Sequence, residues 1–139
     1  MSAELNMKIE TRLEELNRVF DAVRKFGEQE SWPSETLFMI DLALEELTLN
    51  TMNYGHDGGI HEIEIALKSE PDAITIEIID DGRPFDPLHD APKPQVGAAI
   101  EDRPVGGLGV HLVRTMMDEM SYRREGDKNH ITLVTRKVQ

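Results

Sequence analysis

The 139-residue chain contains no cysteine. Disulfide frameworks, thiolate metal sites and cysteine nucleophiles are therefore excluded together. It also lacks any apolar run of the roughly 18 residues that a membrane-spanning helix needs. The opening stretch, MSAELNMKIETRLEEL, is acidic and amphipathic and has no signal-peptide centre. A cytoplasmic location and no membrane partner are expected. Positive charge is scarce: 15 Lys and Arg face 27 Asp and Glu, a net charge of −12. Such a chain repels phosphate backbones, so nucleic acid is not an expected partner. If it binds a nucleotide, it must use local devices: a metal ion, helix N-termini and a few placed arginines. There is no internal repeat, no low-complexity tract and no Gly-x-Ser-x-Gly elbow. The five histidines (56, 61, 89, 111 and 130) show no metal-ligand spacing.

What is present suits one folded domain over residues 1–139, with 39% hydrophobic and 30% charged residues. Ile9, Leu13, Leu16, Phe20 and Val23 recur at three- and four-residue steps, which predicts a helix over 9–26 that stops at Gly27. The stripe suits a core face or the docking of a second subunit. Ser31-Trp32-Pro33-Ser34-Glu35 reads as the start of a second helix, running to about residue 54. Two alternating segments, 60–67 and 73–80, flank a turn at 68–72 and predict a hairpin. Periodicity then vanishes from Asp81 to about Val105, a stretch holding Pro87, Pro92, Pro94 and Pro104. So long an irregular loop in a small domain suits a lid, a binding loop or an insert. A third helix is expected over 107–119 and a final hairpin over 120–137. This order points to an α+β two-layer sandwich: a mixed, mostly antiparallel sheet packed on one side by three helices.

Three places break the local pattern. On the second helix, the stripe that begins with Met39 and Leu42 continues at helical spacing as Glu46, Asn50 and Asn53. A carboxylate one turn before a carboxamide fits a metal–nucleotide site: the amide oxygen is a neutral, hard ligand, and the carboxylate can orient or deprotonate a hydroxyl. The same residues also fit a solvated helix end. In the segment 73–80, Asp80 shares parity with Ile74, Ile76 and Ile78, so it faces the side they bury. It could accept from a backbone turn or from a ligand amine. Asp81 has the opposite parity and should face outward. Gly82 lets something approach the backbone closely. The third break is Gly106-Gly107-Leu108-Gly109 at a helix start, where backbone N–H groups can meet an anion or simply make a tight turn. No Gly-Lys-Ser/Thr follows, so it is not a Walker A loop.

Taken in order, these breaks resemble the GHKL ATPase domain, or Bergerat fold, and within it the small bacterial anti-sigma-factor serine/threonine kinases of the RsbW and SpoIIAB type. The residues that carry the resemblance are Leu44-Glu45-Glu46-Leu47-Thr48-Leu49-Asn50-Thr51-Met52-Asn53-Tyr54-Gly55-His56, Asp80-Asp81-Gly82-Arg83-Pro84-Phe85-Asp86-Pro87, and Gly106-Gly107-Leu108-Gly109-Val110-His111-Leu112-Val113-Arg114. They are similar to that family's N box and two glycine boxes.

The resemblance implies ATP and Mg²⁺ as cofactors. It implies Glu46 as general base or orienting carboxylate and Asn50 as the metal ligand, with Asn53 beside them. Asp80 would accept from the adenine amino group, and Gly82 would pack against the base. Residues 86–105 would form the lid, and Gly106, Gly107, Leu108 and Gly109 would cradle phosphates. Lys128-Asn129-His130 stands where the family often has a Gly-Thr pair, with Thr132 nearby as the base contact. The implied function is a protein serine/threonine kinase and anti-sigma factor. It would phosphorylate a STAS-domain anti-anti-sigma partner, hold a sigma factor and form a homodimer. The alternative is a non-catalytic ATP-binding module that sequesters a partner.

Overall fold

The computed structural model describes residues 2–54, 61–86 and 113–137. Five strands and two long helices lie within them: β1 (Ala3–Glu10), α1 (Glu15–Gln29), α2 (Ser34–Tyr54), β2 (Glu62–Ser69), β3 (Ala73–Asp80), β4 (Glu119–Glu125) and β5 (Lys128–Arg136). Residues 113–116 are also helical, inside the expected third helix. The sheet order is β1-β2-β3-β5-β4. All four pairings are antiparallel, so the expected mixed character is absent among the described strands.

The N-terminal helix expected over 9–26 is replaced by a strand and a shorter helix. Residues 3–10 alternate Ala, Leu, Met and Ile with Glu, Asn, Lys and Glu, a period of two that suits a half-buried edge strand. Ile9 lies next to the end of that strand and pairs with Ile63. Leu13 lies in the connecting turn and is 63% exposed. The helical stripe proper is Leu16, Val19, Val23 and Phe26. Gly27 does not end α1. A Cβ there would come within 2.9 Å of the Trp32 ring, so glycine permits a close approach where a stop was expected. Trp32 meets Phe26 edge to face, with ring centroids 5.5 Å apart.

One face of the sheet carries the core. Ile63, Ile65 and Leu67 of β2, Ile74, Ile76 and Ile78 of β3, and Ile131 and Leu133 of β5 are buried against Val19, Val23, Ile40, Leu44 and Leu47 of the helices. The stripe of α2 that enters this core is Ile40, Ala43, Leu44 and Leu47. Met39 and Leu42, expected to lead it, are only partly buried. The final hairpin turns on Gly126 and Asp127, both at positive φ (59° and 61°), which suits a two-residue turn matched to the strand twist.

The direction of α2 decides where the site lies. Trp32, just before it, donates from Nε1 to Ser69 Oγ at 3.2 Å, so the helix begins at the Ser69 end of the sheet. Its 21 residues rise about 30 Å, slightly more than the roughly 26 Å of an eight-residue strand. The last turns of α2 therefore reach the opposite end, where Ile9, Ile63, Asp80 and Asn129 stand in register across the sheet.

Candidate functional site

Asn50 is 1% exposed, although it is polar and near the end of a helix. It follows Leu47 by three residues and so inherits the core face of α2. Its Nδ2 donates to the Glu46 carbonyl at 2.7 Å. Its Oδ1 is buried and has no hydrogen-bond partner among the described residues. Glu46, one turn earlier, is half-buried, and its Oε2 is likewise buried without a partner. Burial pushes the Glu46 carboxyl above its ordinary range, and the neighbouring Glu45 pushes it the same way. With Thr48 Oγ1, three buried oxygens on this turn lack a partner among the described residues, and the carboxylate and the amide among them are groups that a metal–nucleotide ligand would satisfy.

Asp80 is 3% exposed at the end of β3, on the core face that its parity assigns it. Its Oδ2 accepts from Gly82 N at 3.0 Å and from Asn129 Nδ2 at 3.3 Å. Gly82 is itself buried, and Asp81 is exposed beside His61, as expected. The cluster around Asp80 extends further than sequence reasoning foresaw. Tyr122 donates to Asn129 Oδ1 at 2.5 Å, and Arg124 donates from Nη1 to the same oxygen and to the Gly82 carbonyl. Burial raises the Tyr122 phenol above its ordinary value, with Arg124 opposing.

Thr132 does not join this group. It alternates with the buried Ile131 and Leu133 and pairs with Glu77, so it lies on the outer face of the sheet, opposite to Asp80. Asn129 occupies the inward position instead. The signal for it was available: Asn129 shares parity with Ile131, Leu133 and Thr135, the same kind of break that marked Asp80. The side chain of Asn53, all of the expected lid (86–105) beyond Asp86, and Gly106, Gly107, Leu108 and Gly109 lie outside the described residues.

The donor set fits a magnesium–nucleotide complex. No group of three or more His, Cys, Asp or Glu side chains that could hold a metal exists among the described residues. A single amide oxygen from Asn50 suits Mg²⁺, which keeps waters and takes its other ligands from substrate phosphates.

A five-stranded antiparallel sheet covered on one face by helices defines an α+β two-layer class, here with a buried Asn on a helix and a buried Asp on a strand. Residues 9–135 match the histidine kinase-like ATPase domain family, and the chain belongs to it. It is 28% identical over 111 residues to the serine/threonine-protein kinase BtrW of Bordetella bronchiseptica, covering 77% of this chain and 75% of that one. It is 26% identical over 135 residues to an anti-sigma F factor of a Thermoanaerobacter species, covering 97% and 92%. In fold it is similar to the RsbU and RsbW domains of Rv1364c from Mycobacterium tuberculosis, with a TM-score of 0.64 at 14% identity. That match covers 96% of this chain and 32% of that chain.

Proposed function

We propose that this chain is an ATP-dependent serine/threonine protein kinase and anti-sigma regulatory factor. The observation that carries the reading is that, among the buried oxygens of this turn without a partner among the described residues, there are a carboxylate and an amide one helical turn apart, Glu46 Oε2 and Asn50 Oδ1. A domain that only held nucleotide would need the second of these and not the first. The similarity to BtrW and to an anti-sigma F factor favours the same two activities.

In this reading Asp80 accepts from the exocyclic amino group of adenine, and Gly82 leaves room for the ring. Asn50 holds Mg²⁺, which when bound draws charge from the phosphates. Glu46 accepts the proton of the attacking hydroxyl, a task suited to a carboxyl whose affinity for a proton has been raised by burial. The hydroxyl oxygen forms the new bond to the γ-phosphorus, the bond to the β-γ bridging oxygen breaks, and ADP leaves. Phosphoryl transfer needs mostly positioning and charge neutralisation, so a strongly acidic chain can perform it once the metal is in place. The acceptor is a serine or threonine of a STAS-domain anti-anti-sigma protein. The unphosphorylated partner and a sigma factor then compete for the chain, which works as a homodimer in the cytoplasm.

The test is transfer of labelled γ-phosphate to the cognate STAS protein. Wild type should label it, and Glu46→Ala should lose at least about a hundredfold in rate while still binding ATP. ATP binding by wild type without transfer to any cognate STAS protein would make the chain a sequestering module instead.

A further inference from the structure

The carboxamide of Asn129 is 1% exposed and uses all of its hydrogen-bonding capacity. Nδ2 donates one hydrogen to Asp80 Oδ2 at 3.3 Å and the other to the Arg83 carbonyl at 2.8 Å. Oδ1 accepts from Tyr122 Oη at 2.5 Å, Arg124 Nη1 at 3.2 Å and the Phe85 amide at 3.3 Å. The partners leave one orientation. A flipped amide would set oxygen against the Asp80 carboxylate and the Arg83 carbonyl, and nitrogen against the Arg124 guanidinium. Asn129 thus links three things: the inward carboxylate of β3, the backbone of residues 83–85 that follows it, and the β4–β5 hairpin.

We propose that Asn129 is the positioning residue that sets base selectivity at this site. It holds the Asp80 carboxylate in one rotation, so that the site reads a purine by an amino group at ring position 6 and rejects one with a carbonyl there. A donor is needed for this: the Asn129 Nδ2–H joins the Gly82 N–H on Oδ2, and two donors on one oxygen restrain the rotation of the carboxylate more than one does. Tyr122 and Arg124 hold the amide from its other side, and Arg124 also clamps Gly82. Discrimination by buried polar groups can be large, because the wrong base leaves them unpaired. The proposal rests on the adenine-nucleotide reading of the site.

The experiment compares Asn129→Asp with wild type by titration calorimetry, using ATP and ITP with magnesium. These nucleotides differ only in the base edge: an amino group at position 6 beside an acceptor N1 in ATP, a carbonyl beside an N1–H in ITP. The substitution keeps the acceptor oxygen that faces Tyr122, Arg124 and Phe85 and replaces the donor that faces Asp80. Wild type should prefer ATP, and the Kd ratio of ITP to ATP should fall by about tenfold or more in the variant, chiefly through weaker ATP binding. An equal loss for both nucleotides, or no loss for either, overturns the proposal, since mere structural support would not single out one base. Wild type that binds neither nucleotide overturns the adenine reading itself. Should Asn129→Asp fail to fold, Tyr122→Phe, which removes one hydroxyl from the same amide, decides: the same ratio must fall, by about two- to fivefold, and an unchanged ratio overturns the proposal.

Discussion

Glu46 and Asp41 are two carboxyl groups on α2 that the folded chain holds at a cost. Each has a buried oxygen without a hydrogen-bond partner among the described residues. Each carboxyl is pushed up, Asp41 by burial with Arg24 opposing and Glu45 adding, and Glu46 by burial with Glu45 adding. A carboxyl raised in the folded state keeps its proton where the unfolded chain has released it. Stability is therefore fully present below the ordinary values of 3.8 and 4.5 and falls as pH rises through the raised folded values. Asp41→Asn and Glu46→Gln should each raise the melting temperature at pH 7 by about 1–3 °C, and the gain should vanish in acid. Thermal melts across pH check this. A gain that persists unchanged below pH 3.5 (roughly the unfolded carboxylate range) would mean that charge is not its cause. Only Glu46→Gln should also abolish transfer, which would separate the functional strain at Glu46 from the bystander at Asp41.

At the scale of elements, the N-terminal segment is where local pattern misled. Residues 9–26 carry enough three- and four-step spacing to suggest one helix, yet the alternation over 3–10 is equally regular, and pairing with β2 decides between them. An edge strand covers the otherwise open hydrogen-bonding side of β2, an advantage that no window of local sequence displays. The consequence can be measured. Ile9 is 2% exposed in β1, so Ile9→Ala should cost about 2–4 kcal/mol. Leu13, exposed in the turn, should tolerate alanine within about 0.5 kcal/mol. Chemical denaturation of the two variants distinguishes this arrangement from a single helix, in which both residues would share one buried face and cost alike. The hairpins of β2 with β3 and of β4 with β5 were legible because turn residues bracket strict alternation. Gly27 was misread because its reason is Trp32, five residues on and packed over it.

For the whole molecule, ligand binding and stability are linked. A nucleotide that binds only the folded chain should stabilise it by about 2.7 kcal/mol at a hundredfold excess over Kd. If Asn50 holds the metal, magnesium should add to the ATP-induced rise in melting temperature of wild type and add nothing to that of Asn50→Ala. A magnesium increment that survives the substitution would remove Asn50 from the metal site. A net charge of −12 makes that metal matter more, because the chain offers little positive charge of its own to a triphosphate.

Residue spacing alone determined the two-layer α+β plan, the hairpins, and the inward aim of Asp80, because periods of two and 3.6 report which face each side chain takes. The same spacing flagged Glu46 and Asn50, since a polar pair on a buried stripe contradicts its surroundings. Tertiary structure decided the rest: that residues 3–10 are an edge strand, that Thr132 faces away from Asp80, and that Asn129, Tyr122 and Arg124 gather around it. Those facts depend on which strand lies beside which and in what register. That choice is made by long-range pairing between segments some 50 residues apart, as Asp80 and Asn129 are, and not by the preferences of either segment alone.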